Sequence, residues 1–339
     1  MNQLSAPDVA LDPEWLPHTY DADGANLTFV CVPRSARQEL IFLSDRHFGG
    51  NFRKAEFPEI AVAAEAASAD QAPIHFIFHS SHCCSTLLAR ALDVAGAASL
   101  LNEPDILIHL SNRLIRSDDR ANRERVELAL RLLERPLARG EKVIVKPSNF
   151  GQRVADVMLA SRPGSRAILL YSDLETLLLS ILKRGMFGRI FGRQMFAQLN
   201  AWSPLDFGYG AAELLEQTDV QIAALAWLMQ IRHLDALART FGERAIVMDS
   251  RDLLSQPAVA LQQAQAHFGL GLDPSQVEAI VSGPVFSTHA KTPGQSYDAE
   301  ARRREHEATS AVHAEEIGMV LKWIQAVAAQ VGAPLRPGL

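Results

Sequence analysis

The segment that most constrains this chain is Ile74–Leu92, IHFIFHSSHCCSTLLARAL. An apolar run, Ile74–Phe78, stops at the small and polar residues His79–Thr86. A helical pattern follows at once, with Leu87, Leu88, Ala91 and Leu92 on one side. The pattern predicts a buried strand, a tight loop and a helix N-terminus. The first turn of a helix carries unpaired backbone N–H groups and the positive end of the dipole, which suit a phosphate. Ser85 and Thr86 place hydroxyls beside those N–H groups.

Three further apolar runs have the character of strands buried on both faces, as in a parallel sheet. They are Lys142–Val145, Arg166–Leu170 and Arg244–Met248, with Ser99–Leu101 a weaker fourth. Helical patterns separate them at Arg123–Leu137, Val154–Ser161, Leu174–Lys183 and Gln217–Phe241. Strands alternating with helices predict an α/β fold with right-handed crossovers. The expected organisation is an N-terminal extension, residues 1–72, and an α/β domain, residues 73–335. Within the extension, residues 1–25 read as loosely held, Leu27–Val32 and Glu39–Leu43 as short strands, and Ala61–Ala72 as an Ala-rich lead-in. Asp298–Val331 reads as a charged helix and then an apolar one.

A length of 339 residues allows one large domain or two small ones, and 48% hydrophobic with 21% charged residues is ordinary for a globular protein. A net charge of −6 argues against a general nucleic-acid binder. The first residues, MNQLSAPDVALDPEW, lack the basic start and apolar core of a signal peptide. No apolar run approaches the roughly 20 residues that span a bilayer. Three cysteines, two adjacent, make no disulfide framework. A reducing cytoplasm is the expected compartment, with neither nucleic acid nor membrane as partner.

The loop is no Walker A motif. In the G-x-x-x-x-G-K-[ST] pattern the glycines fall on His79 and Cys84 and the Lys on Ser85, so only Thr86 fits. Without that Lys, nothing reaches the β- and γ-phosphates of a nucleoside triphosphate. His79, His82, Cys83 and Cys84 are too crowded for a tetrahedral metal site, so no metal is expected.

Ser81-His82-Cys83-Cys84-Ser85-Thr86-Leu87-Leu88 resembles the sulfotransferase loop, P-[KR]-S-G-[TS]-T-x-L. That loop binds the 5′-phosphosulfate of 3′-phosphoadenosine 5′-phosphosulfate (PAPS). His82 stands where the family has Lys or Arg, and Cys84 where it has Gly. The order and spacing downstream are closest to the tyrosylprotein sulfotransferases. Glu103, 21 residues after His82, stands at about the spacing of their general base. A plainer role for Glu103 is at a helix N-terminus capped by Asn102 and begun by Pro104. Lys146, at the end of its strand, is similar to the Lys of their Lys-Asp-Pro segment, which approaches the sulfuryl group. A snorkelling strand-end Lys is the plainer role.

Arg166–Arg184 resembles the family's 3′-phosphate segment, a strand followed by R-D-P-R-D-x-x-x-S. Ser180, 34 residues after Lys146, falls on its Ser, while Ser172 falls on its phosphate-binding Arg. Trp227 and the run Asp249–Pro257 into His267-Phe268-Gly269-Leu270 are similar to a structural stretch of the family. Lys291, near a Gly/Pro loop, is a candidate for its basic C-terminal loop.

The resemblance covers residues 73–295 and implies a P-loop-like parallel sheet flanked by helices, the sulfotransferase fold. It implies an enzyme that moves a sulfuryl group from PAPS to a hydroxyl or amine on a small-molecule or polymer acceptor. Glu103, Lys146 and His82 would be catalytic. Ser81, His82, Cys83, Cys84, Ser85, Thr86, Ser172, Ser180 and Lys291 would hold the donor. Two other readings stay open: a nucleotide kinase or phosphotransferase on the same frame, and a non-catalytic nucleotide- or anion-binding protein.

Overall fold

The structure, a computed structural model, describes residues 4–288 and 299–338. It is a mixed α/β fold with two sheets. Strands β1 (Trp15–Tyr20), β2 (Asn26–Cys31) and β3 (Lys54–Pro58) form an antiparallel sheet in that order. Strands β4 (Ile74–His79), β5 (Ala98–Asn102), β6 (Lys142–Lys146), β7 (Ala167–Tyr171) and β8 (Ala245–Asp249) form a parallel sheet in the order β5-β6-β4-β7-β8. Every residue of β4, β5 and β7 is buried, as the continuous apolar runs predict. Strand β8, at one edge, is only partly buried.

The helices that place the site residues are α1 (Ser85–Ala91), α2 (Asp105–Arg116), α3 (Arg120–Leu133), α4 (Leu174–Lys183), α5 (Gly185–Asn200), α6 (Asp219–Phe241) and α7 (Ala299–Val331). The chain divides into two compact units. One comprises Met1–Ile77, Thr86–Ala167 and Leu261–Val277; the other comprises Phe78–Ser85, Ile168–Ala260 and Glu278–Leu339.

In the first unit the N-terminal residues depart from the loose segment expected of them. They form a short helix, Ala6–Leu11, and then β1, with Val9, Ala10, Trp15 and Leu16 buried. The cause lies just beyond α3. The Arg135 guanidinium donates to the carbonyls of Leu132, Val9, Asp12 and Trp15 at 2.5–2.8 Å. The expected strand Glu39–Leu43 is also absent. A short helix, Arg34–Glu39, takes its first residue. The rest lies along the edge of β5, joined by one backbone bond, Leu43 N–H to Asn102 carbonyl at 2.8 Å. The Asn102 amide donates to the Ile41 carbonyl at 2.6 Å, so this segment covers an edge without extending the sheet.

In the second unit glycines let three helices pack closely. A Cβ on Gly188 would stand 2.0 Å from the Ile181 carbonyl oxygen of α4, and one on Gly192 2.9 Å from the Ala223 Cβ of α6. Helix α5 therefore lies tight against both. The tail is one continuous helix, α7, where two were expected. No proline interrupts it, and Ile317, Val320, Ile324 and Val327 bury a single stripe.

Candidate functional site

The loop that leaves β4 is held at its root by buried polar contacts. Ser80 N–H donates to the Leu170 carbonyl at 2.9 Å, and the Ser80 hydroxyl accepts Ser172 N–H at 3.0 Å. Ser81 N–H donates to Oε1 of Gln230 at 3.1 Å, and the Ser81 hydroxyl lies against Met195. The Ser172 hydroxyl donates to the Ser81 carbonyl at 3.2 Å, and Trp227 Nε1–H donates to the Ser172 carbonyl at 2.9 Å. Ser172 is fully buried, so its visible work is to prop the loop. Ser180 lies half-buried on α4.

The backbone then turns left-handed twice. His82 has φ 57° and Cys84 φ 62°. For a residue with a Cβ this conformation costs about 1–2 kcal/mol. Cys84 adopts it where the resembling loop has glycine, which enters that region without penalty. The His82 ring meets the edge of Phe191 on α5, with centroids 5.5 Å apart. Cys83 is buried, with its Sγ 2.9 Å from the Ser80 carbonyl, and Cys83 and Cys84 carry thiols rather than a vicinal disulfide. Ser85 and Thr86 open α1 and are both buried. The Thr86 hydroxyl, 2% exposed as a residue, meets no hydrogen-bond partner. A buried hydroxyl without a partner fits a site built to receive an acceptor-rich group.

In the first unit, Glu103 and Lys146 come together. Strands β5 and β6 pair in parallel with Asn102 opposite Lys146, so Glu103 stands one residue beyond that register. Glu103 N–H donates to the Lys146 carbonyl at 2.7 Å, and Lys146 Nζ donates to Oε1 of Glu103 at 2.5 Å. Lys146 is fully buried, while the Glu103 side chain is 17% exposed. Phe42 lays its ring 5.4 Å from the ammonium, a cation–π distance. Glu103 is also left-handed, φ 52°. Helix α2 begins at Asp105 with Pro104 as its N-cap, and Asn102 ends β5 without capping the helix.

Lys291 lies outside the described residues. Gln230 and Phe42 were not anticipated from sequence. A glutamine inside the apolar run AALAWLMQI of α6 was a legible signal for the first; a single aromatic in an irregular segment was none for the second. No described helix is long and apolar enough to cross a membrane.

No family model and no curated protein matches the chain. Solved structures similar to it include the sulfotransferase domain from the curacin biosynthetic pathway, at 14% identity over 73% of this chain and 99% of that chain, TM-score 0.41. Another is a sulfotransferase from Mycobacterium tuberculosis, at 14% identity over 73% and 78%, TM-score 0.43. A third is a mouse sulfotransferase complexed with PAP, at 11% identity over 74% and 88%, TM-score 0.30.

Proposed function

We propose that this chain is a sulfotransferase that moves a sulfuryl group from PAPS to a hydroxyl or amine acceptor. One observation carries the reading. Among the described residues, the non-glycine residues with left-handed backbone are His82, Cys84 and Glu103. Each stands at a position that the family resemblance assigns to donor binding or catalysis. Strain of this kind persists where surrounding structure over-determines it, and it clusters at functional sites.

The residues divide the work as follows. Backbone N–H groups of Cys83–Thr86, with the hydroxyls of Ser85 and Thr86, hold the phosphosulfate end of the donor. His82, when protonated, neutralises charge near the bridging oxygen. Glu103 takes the proton from the acceptor as the acceptor oxygen or nitrogen bonds to sulfur and the bond from sulfur to the nucleotide phosphate breaks. Lys146 stabilises charge on the sulfuryl oxygens. Ser172 supports the loop, and Ser180 offers a hydroxyl to the 3′-phosphate.

The test is calorimetric titration with 3′-phosphoadenosine 5′-phosphate and, in parallel, with ATP–Mg²⁺. Binding of the first alone, lost in Thr86→Ala, supports the reading and justifies an acceptor screen. Binding of ATP with strict Mg²⁺ dependence replaces it with a phosphotransferase. Binding of neither nucleotide overturns the enzyme.

A further inference from the structure

The first unit contains a second cluster of ligand-type side chains that none of the chemistry above uses. His18 on β1, Asp45 at the start of the short helix Asp45–Phe48, and Asp105 at the start of α2 each offer one ligand atom, and these atoms lie within 4.8 Å of one another. The three residues are far apart in the chain and meet only through the fold. Asp45 N–H donates to Oδ2 of Asp105 at 3.0 Å, which fixes the two carboxylates side by side.

His18 carries the second, independent observation. Its residue is 3% exposed, and its Nε2 faces the two carboxylates, 2.9 Å from Oδ1 of Asp45. The two form an ion-pair contact without the alignment of a good hydrogen bond, and the buried Nε2 has no better-aligned acceptor. Two ligand atoms each about 2.1 Å from one tetrahedral zinc ion stand about 3.4 Å apart. The His18–Asp45 separation of 2.9 Å is shorter than that edge, so the exposed Asp45 carboxylate moves outward by about 0.5 Å when an ion enters.

We propose that His18, Asp45 and Asp105 form a binding site for a divalent transition-metal ion, with Zn²⁺ the best match to one imidazole and two carboxylates. His109, four residues after Asp105 on α2, shares its helix face but lies outside the three-residue cluster, so solvent would complete the set. Lys54, whose ammonium lies 2.7 Å from Oδ1 of Asp45, supplies one positive charge in the absence of metal. It is half-exposed and gives way at little cost. Once Lys54 withdraws, the two carboxylates carry −2, which a divalent cation neutralises.

The role of the ion is to staple. Its ligands would tie β1 and the Asp45 helix to α2. The same stretch carries two backbone bonds, Leu43 N–H to the Asn102 carbonyl and Asp105 N–H to the Leu43 carbonyl. Glu103 lies between those partners. A metal here would hold in place the segment that is hydrogen-bonded on either side of Glu103, and takes no part in group transfer.

The experiment uses the full chain stripped with a chelator. Zn²⁺ is titrated by calorimetry and by thermal unfolding, and Co²⁺ by its visible absorption, whose intensity reports the coordination geometry. The expected result is one equivalent of Zn²⁺, a rise in Tm, and loss of both in His18→Ala and Asp45→Asn. Asp45 is 60% exposed, so Asp45→Asn folds even where a change at buried His18 does not. No stoichiometric binding to the parent chain overturns the site. Binding that survives unchanged in Asp45→Asn and Asp105→Asn overturns it equally.

Discussion

The ammonium of Lys146 touches the carboxylate of Glu103 at 2.5 Å, and the same two residues share a backbone hydrogen bond of 2.7 Å. The contact is chemically poised, because it keeps an acid–base group and a cation together at the ends of adjacent strands. It also has a structural consequence. Removing one partner of a buried ion pair leaves a charge in low dielectric, at about 3–5 kcal/mol. Glu103→Gln is therefore expected to lower unfolding stability markedly, and the double variant Glu103→Gln/Lys146→Met to recover much of the loss. Denaturant unfolding of the parent chain, Glu103→Gln, Lys146→Met and the double variant measures this cycle. If the proposed reaction is correct, Glu103→Gln also lowers turnover about 10²–10⁴-fold, and the double variant does not restore it. Recovery of stability without activity separates the chemical role from the structural one.

Cys84 makes a prediction of opposite sign to the usual glycine rule. A residue with φ 62° gains when its Cβ is removed. Cys84→Gly is expected to be about 1 kcal/mol more stable than Cys84→Ala, despite the greater entropy of glycine in the unfolded chain. Cys84→Val, β-branched, should be the least stable of the three. Thermal unfolding of the three proteins decides it. Equal stabilities would mean that the loop relaxes out of the left-handed region once its cysteine is lost.

Much of the frame was legible because inner parallel strands are read from apolar runs. Lys142–Val145 and Arg244–Met248 each match a strand within a residue or so, and Leu174–Lys183 matches α4 at both ends. The loop residues from Ser81 to Thr86 stood out because small polar residues interrupt such a run. What was illegible depends on partners distant in sequence. The order of residues 6–20 rests on Arg135, and a lone arginine after a helix carries no sign that its donors end on four backbone carbonyls. Ile41–Leu43 has strand composition, yet its pairing is decided by the Asn102 side chain, which takes the Ile41 carbonyl. Left-handed backbone at Glu103 left no trace at all, since glutamate is not a residue that seeks it.

His75 predicts how stability depends on pH. Its Nδ1 accepts Arg166 N–H at 3.1 Å, and its ring stacks on Phe268, 5.0 Å between centroids. Accepting that bond requires the neutral ring. Burial, reinforced by the positive charges of Lys142, His267 and Arg166, pushes its pKa down to about 4 from the ordinary 6.5. Between those values the unfolded chain binds a proton that the folded chain refuses. Stability from this group is full above pH 6.5, falls as the pH drops through the window, and is lost below about 4. The span is about 3 kcal/mol. His75→Asn keeps an acceptor near the Nδ1 position and does not titrate. Its unfolding free energy should be lower at pH 7 and should decline less between pH 6.5 and 4. An unchanged decline would assign the acid limb to other groups.

Arg135 is expected to govern the N-terminal segment alone. Its guanidinium is buried without a carboxylate among its hydrogen-bond acceptors, and burial lowers its pKa to about 9. Four carbonyls from Leu132, Val9, Asp12 and Trp15 surround it. An ammonium has three donors and no planar fork, so Arg135→Lys leaves at least one buried carbonyl without its bond. The expected cost is about 1–3 kcal/mol. Arg135→Met leaves all four carbonyls without it and should release the helix Ala6–Leu11 and β1 from the rest of the unit. Hydrogen exchange reads this directly: amides of residues 6–20 should lose protection in Arg135→Met, while β4, β6 and α3 keep theirs. Loss of protection spread evenly over the unit would show instead that this guanidinium supports the whole core.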